Sequence, residues 1–238
     1  MKTINTYILS KIKNEINITE KLKISKSKSN QPVTEHTLFP KDLYELAEMI
    51  RKEVGKNGNE CDLNHIDTSK ITSMQKLFYN SRFNGDISKW DVSNVTNMYK
   101  MFEDSNFNGD ISEWDVSRVT TMESMFAWSY FNGDIYNWNV SNVKNMNGMF
   151  YDSKFNGDIL EWDVSNVIDM GSMFGKANFN GDISKWDISN VKTMKHMFSS
   201  SKFNQDISNW KINSSCDTDK MFDGCSIEDK YKPKCLKK

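Results

Sequence analysis

One motif returns every 24 residues along this chain, six times and without an insertion. Self-similarity at a fixed period of about 20 to 50 residues indicates a protein whose units stack along one axis. The sequence therefore predicts a solenoid. The first clear copy reads FNGDISKWDVSN, and the copies begin at Phe83, Phe107, Phe131, Phe155, Phe179 and Phe203.

Each unit predicts a turn, a short strand and a short helix. In the first clear copy the dipeptide Asn84-Gly85 is typical of a tight turn. Residues 90–92, Trp-Asp-Val, have the aromatic and β-branched character of a strand. In VTNMYKMF, residues 95–102, the apolar side chains recur at helical spacing. We therefore expect an α/β repeat solenoid whose 24-residue units each contain one short strand and one short helix.

The apolar positions that the copies share predict one continuous core. A single short unit has no second layer against which to bury them, whereas stacked units bury tryptophan on tryptophan and phenylalanine on phenylalanine. The predicted core residues are Trp90, Trp114, Trp138, Trp162, Trp186, Trp210, Phe102, Phe126, Phe150, Phe174 and Phe198.

The regions outside the repeats differ in composition. The segment FPKDLYELAEMIRKEVG predicts a helix, with Pro40 in its first turn and Gly55 at its end, and we expect this helix to cover the first repeat. The N-terminal segment has seven lysines, three glutamates and little apolar bulk, which favours a flexible arm. The expected regions are an arm at 1–37, a capping helix and linker at 38–61, about seven repeats at 62–229 and a tail at 230–238.

Few residues indicate catalysis or a cofactor. The aspartate after each Asn-Gly pair is interpreted as a turn-forming residue, with cation binding as the alternative. Three dispersed histidines and no hydrolase or phosphate-binding motif argue against an enzyme, a metal and a cofactor. No Cys-x-x-Cys pair is present, and the redox state of Cys216, Cys225 and Cys235 stays open.

Binding specificity in a stack of similar units belongs to the positions that vary. Four aromatic residues occupy positions that are polar in another copy: Trp128, Tyr130, Tyr136 and Tyr151. Exposed aromatic residues anchor many interfaces, and these four are the candidate partner-binding residues. The alternative is local packing of a loop.

The string W-D-V-S-x-V-x-x-M-x-x-M-F, as in WDVSNVTNMYKMF, resembles the bacterial surface protein repeat of the BspA-like leucine-rich-repeat family. The resemblance covers roughly residues 62–222. It implies a leucine-rich-repeat-like solenoid used for binding, mostly on cell surfaces and in some bacteriophage-encoded proteins, without catalytic residues. The N-terminus does not read as an export signal, so we expect a cytoplasmic or phage-particle location.

The sequence thus favours a non-catalytic scaffold that binds another protein, with a host-interaction or virion-associated role as one form of this expectation. The alternative is a glycan-binding module that uses the exposed aromatics. The net charge of -1 gives no general attraction to nucleic acid, which leaves only weak binding through the lysine-rich arm. No apolar run is long enough to span a membrane.

Overall fold

The computed structural model describes residues 35–236, and the residues from His36 onward form one compact unit. Its helices are one α-helix, α1 (Leu43–Asn57), and two 3₁₀ helices, Asp229–Tyr231 and Lys234–Leu236. Between α1 and the first 3₁₀ helix, the described residues form turns and isolated bridges, with no further helix and no extended strand. Most of the predicted arm lies outside the described residues.

Helix α1 begins at a side-chain cap and ends at a glycine. The Asp42 carboxylate accepts hydrogen bonds from the backbone N–H groups of Tyr44 and Glu45, both at 2.9 Å, which satisfies two donors that the first helical turn leaves free. Gly58 follows the last helical residue with φ +88°, and its N–H bonds a carbonyl of the last turn. The prediction that Gly55 ends the helix is wrong, because Gly58 takes the positive φ that terminates it.

Equivalent residues of successive units lie side by side in parallel register. Single β-bridges join residues 24 apart along a column made of Ser73, Asn97, Thr121, Asn145, Asp169, Thr193 and Asp217. A second column consists of the asparagines of the Asn-Gly turns. Each side-chain oxygen in it accepts the backbone N–H of the asparagine 24 residues later, at 2.7–2.8 Å. Seven units of 24 residues therefore share one register. They are numbered 1 to 7 and span residues 62–85, 86–109, 110–133, 134–157, 158–181, 182–205 and 206–229.

The stretch predicted to be a short helix is a series of β-turns, which we call the turn segment. In unit 2 the Met101 N–H bonds the Met98 carbonyl, and Lys100 takes φ +56°. A left-handed residue interrupts an α-helix, and β-turns at this spacing keep the same apolar side chains on the inner side. The turn segments of units 1 to 7 are residues 74–80, 98–104, 122–128, 146–152, 170–176, 194–200 and 218–224.

Alternate N–H groups of each turn segment leave their own unit. Lys100 N–H donates to the Glu123 carbonyl and Phe102 N–H to the Met125 carbonyl, both at 2.9 Å. The backbone donors that an α-helix would use internally therefore join neighbouring units. The turn segments are consequently the main hydrogen-bonded seam of the stack.

The strand predicted at residues 90–92 does not form an extended element. Asp91 Oδ1 accepts the Ser93 N–H at 3.0 Å, and the Val95 N–H bonds the Val92 carbonyl. These local bonds turn the chain immediately after Trp90, so pairing with neighbouring units is limited to isolated bridges.

All eleven predicted core tryptophans and phenylalanines are buried. The Phe102 and Phe126 rings stack with centroids 5.5 Å apart, and Phe126 and Phe150 follow at 5.7 Å. Each of the six core tryptophans donates its indole N–H to a carbonyl 27 residues earlier, as Trp138 does to Ile111 at 3.0 Å. The large rings thus fill the core while their one polar group stays hydrogen-bonded.

Both ends of the stack are covered by flanking residues. At the N-terminal end, Leu46 of α1 belongs to the same buried cluster as Ile66, and Leu38 forms a parallel bridge with Ile66. At the other end the Ile207 N–H bonds the Tyr231 carbonyl at 3.0 Å. The first residues of the predicted tail therefore continue the 24-residue register.

Candidate binding surface

The four candidate aromatics all reach the surface, to different extents. Trp128 is 46% exposed, Tyr130 61% and Tyr136 39%, whereas Tyr151 is half-buried. Trp128 and Tyr151 belong to the turn segments of units 3 and 4, where they follow the buried residues Phe126 and Phe150. The seam of turns therefore positions this pair on one face of the stack.

Trp128 and Tyr151 contact each other directly. Their ring centroids lie 5.1 Å apart at an interplanar angle of 73°, an edge-to-face arrangement that aromatic pairs favour. The Trp128 N–H also donates to the Tyr151 carbonyl at 2.8 Å. The two residues come together because that hydrogen bond is the ordinary link between adjacent turn segments.

The Tyr151 ring is held in place by its neighbours in units 5 and 3. A Cβ placed on Gly175 would lie 3.0 Å from the Tyr151 ring, so this glycine leaves the room that the ring occupies. Ala127 fills the corresponding position in unit 3 and is buried. A small residue thus lies on each side of the tyrosine along the column.

A lysine, Lys176, also contacts the Tyr151 ring. Lys176 Nζ lies 5.3 Å from the centre of the Tyr151 ring, within the range of a cation–π contact. The Tyr151 side chain raises the pKa of Lys176, because hydrogen bonding and charge at the phenol favour the ammonium form. We call Trp128, Tyr151 and Lys176 the aromatic triad. It presents an indole, a phenol and a cation on one surface.

Tyr130 and Tyr136 lie apart from this contact. Tyr130 follows two residues after Trp128, and its N–H donates to the Ser105 carbonyl at 3.3 Å. Tyr136 lies at the Asn-Gly-Asp corner, where its N–H donates to Asp134 Oδ1 at 3.0 Å. Among the described residues, aromatic ring contacts join Trp128 to Tyr151 but do not join Tyr136 to either. The four candidate residues are therefore one contacting pair, Trp128 and Tyr151, and two tyrosines outside this contact.

A second group of aromatic and basic side chains on the turn segments was missed from the sequence. Lys76 Nζ lies 6.0 Å from the Tyr79 ring and 5.7 Å from the Tyr99 ring, and Lys100 Nζ lies 5.4 Å from the Tyr99 ring. Lys100 also pairs with Glu103 at 3.0 Å. Tyr79 occupies the position that Tyr151 occupies three units later, so alignment of all copies could have found it.

The recurring aspartates serve the local backbone. Asp86 Oδ1 accepts the Ser88 N–H at 2.9 Å, and the equivalent carboxylates in later units do the same at 2.8–3.0 Å. A polar groove of about 240 Å³ contains two of them, and both accept such bonds. Its lining residues are Asp182, Ser184, Gln205, Asp206, Ser208 and Asn209.

Within residues 35–236, no group of three or more histidine, cysteine, aspartate or glutamate side chains could hold a metal ion. The four cysteines are free thiols, and burial raises the pKa of Cys61 and of Cys216. A raised pKa leaves less of the nucleophilic thiolate at neutral pH. None of the helices in this part of the chain is long and apolar enough to cross a membrane.

The chain matches one protein family in a comparison with family models. A family model described as "Mycoplasma protein of unknown function, DUF285" matches residues 44–154 and, in a second overlapping match, residues 127–232. No curated protein and no solved structure matches the chain. The two matches together extend from α1 through all seven units.

Proposed function

The chain belongs to the DUF285 family, and from this premise we propose that it is a non-catalytic repeat scaffold that binds another protein. We propose that the seven stacked units form a solenoid of the leucine-rich-repeat-like kind. The expected cytoplasmic or phage-particle location stays a prediction, as does a host-interaction or virion-associated role.

The aromatic triad is the observation that carries this proposal. Buried positions are nearly the same in every unit, whereas Trp128 has a large exposed ring where Asp104 and Asp152 stand in the adjacent units. Tryptophan and tyrosine anchors surrounded by polar residues are typical of the energetic centres of protein interfaces. A rigid seam of hydrogen bonds beneath them limits the entropy lost when a partner is bound.

A glycan is the second candidate, because the exposed indole lies in a column between two carboxylates. Asp104 and Asp152 are exposed and occupy the Trp128 position in units 2 and 4. An aromatic face beside hydrogen-bond acceptors can stack on a sugar ring and accept its hydroxyl groups. Binding of the full chain to a glycan array, abolished by Trp128→Ala, would favour this candidate over a protein partner.

The proposed function is tested with a double variant, Trp128→Asp with Tyr130→Asn, which installs the residues of unit 2. Proteins captured by the full chain from its native source should be lost, with at least about a ten-fold fall in affinity, because an aromatic anchor is removed. Tyr136→Ser, which installs the equivalent residue of unit 2 at the other corner, is the matched control. Retention of the captured protein by the double variant would contradict the assignment.

A further inference from the structure

The turn segment of unit 7 forms the C-terminal end of the seam within residues 35–236. In unit 6 the N–H groups of Met194, His196, Phe198 and Ser200 all donate to carbonyls of unit 7. Their counterparts in unit 7 have no backbone acceptor within the part of the chain that the structure describes. These counterparts are Thr218, Lys220, Phe222 and Gly224.

The core side chain at this edge, Phe222, is also partly exposed to solvent. Phe222 continues the phenylalanine column, with its ring 5.7 Å from Phe198, but it is half-buried whereas Phe198 is fully buried. Lys232 Nζ lies 5.9 Å from the centre of the Phe222 ring. The 3₁₀ region pairs with the stack at Ile207, so the described C-terminal residues cover the Ile207 side more completely than the Phe222 side.

We propose that residues 218–224 are a docking edge for a peptide that adopts the same series of β-turns and adds an eighth turn segment to the seam. Unpaired donors at alternate positions are the template that strand addition uses, since the backbone supplies affinity and the side-chain pockets supply specificity. This edge continues an inter-unit interface that is made six times within the chain. The fitting partner is therefore a segment with the Met-x-x-Met-Phe spacing of the repeat.

The charge of residues 217–224 indicates which peptides fit this edge best. Residues 217–224 contain three exposed aspartates and one lysine, and Asp219 pairs with Lys195 at 3.1 Å. The Lys195 side chain lowers the pKa of Asp219, mainly through their hydrogen bond, so this carboxylate stays ionised at neutral pH. A basic Met-x-x-Met-Phe segment complements this edge better than an acidic one.

The probe is the synthetic peptide VKTMKHMFSSSK, which is the sequence of residues 191–202 and carries both features. Fluorescence anisotropy of the labelled peptide against the full chain should show saturable binding. A control peptide with serine at both methionines and the phenylalanine should not bind. Equal binding of the two peptides would overturn the proposal.

Two proline variants in unit 7 locate the site. Thr218→Pro removes a donor that has no backbone acceptor in residues 35–236. It should weaken peptide binding at least about ten-fold, because a docked carbonyl loses its partner. Ser214→Pro is the matched control, since Ser214 lies second in the turn closed by the Cys216 N–H and the Asn213 carbonyl, where proline is favoured. Its peptide affinity should stay within about two-fold. Equal affinity of the two variants would contradict edge docking.

Amide hydrogen exchange supplies an independent readout. Peptide addition should slow exchange at Lys220, Phe222 and Gly224 in the full chain, whereas binding elsewhere would leave these amides unchanged. Strong protection before the peptide is added would also overturn the proposal, because the edge would already be occupied. The Trp128→Asp, Tyr130→Asn variant should bind the peptide normally, so failure of this proposal is distinguishable from failure of the proposed function.

Discussion

Single residues in the turn segments adopt a backbone conformation that most side chains disfavour. Twelve non-glycine residues among those described have positive φ, and all of them lie in the turn segments. Trp128, with φ +54°, is one of them, whereas the other eleven are Lys, Asn, Asp, Ser and His residues. Bulky side chains rarely adopt this region, and asparagine and aspartate adopt it more readily. Trp128 therefore occupies its position against local preference, which supports a role in binding.

Replacement of this tryptophan should be tolerated by the fold. Trp128→Asp loses an edge-to-face contact with Tyr151 worth about 0.5–1.5 kcal/mol, while relief of the disfavoured conformation offsets a similar amount. We expect the free energy of unfolding in urea to change by less than about 1 kcal/mol. A loss of more than about 2 kcal/mol would assign Trp128 to packing.

Asp115 makes the stability of the fold depend on pH in the acid range. Side-chain and backbone hydrogen bonds from Ser117 lower the pKa of Asp115. Because the folded-state pKa is depressed, this contribution is present above the unfolded value of about 3.9 and is lost as pH falls through the folded value.

Unit 4 provides a natural control for this effect. Asn139 stands at the equivalent position and accepts the Ser141 N–H at 3.1 Å. Asp115→Asn should therefore remain folded at pH 7 and show a shallower loss of stability as the pH falls below about 4, measured by urea unfolding at each pH. An unchanged acid dependence would show that Asp115 does not contribute.

Among the elements, the period and the buried positions could be predicted from the sequence, whereas the local conformation could not. The 24-residue spacing determines which residues can stack, so the tryptophan and phenylalanine columns follow from it directly. The spacing of apolar residues in 95–102 fits a short helix and a series of β-turns equally well. The left-handed residues at Lys100 and Asp104 distinguish the two, and neither lysine nor aspartate identifies that conformation by itself.

The residues of the candidate surface could be predicted from the sequence in part, whereas their contacts could not. Substitution of polar residues by aromatics identified Trp128 and Tyr151, whose units are adjacent. Their contact with Lys176 depends on the inter-unit register, and the smallness of Gly175 has meaning only beside the Tyr151 ring. Tyr136 was grouped with them because its unit adjoins that of Trp128, but it lies at the Asn-Gly-Asp corner and not in a turn segment.

The core columns predict that mid-stack units are more sensitive than terminal ones. Trp138→Ala removes a buried ring and its hydrogen bond to Ile111, and should cost about 3–5 kcal/mol. Trp210→Ala should cost less, because unit 7 has a neighbouring unit on one side only. Urea unfolding of the two variants measures the difference, and equal losses would contradict coupling between neighbouring units.

The stack as a whole should lose structure from its ends. Each unit contacts its neighbours through the seam of turns, so local opening is expected to be easiest at units 1 and 7. Native-state hydrogen exchange should show slower exchange for the Phe126 and Phe150 amides than for the Phe198 amide. Uniform exchange across the units would indicate a single cooperative block.

The binding role of the turn-segment surface is tested most directly by site-specific photo-crosslinking of the full chain in its native source. A photoreactive phenylalanine derivative at Tyr130, beside Trp128, should yield a discrete protein adduct. The same group at Asn137, an exposed residue at the Asn-Gly-Asp corner, should yield none. Absence of an adduct at position 130, or the same adduct from both positions, would contradict a protein-binding surface at the aromatic triad.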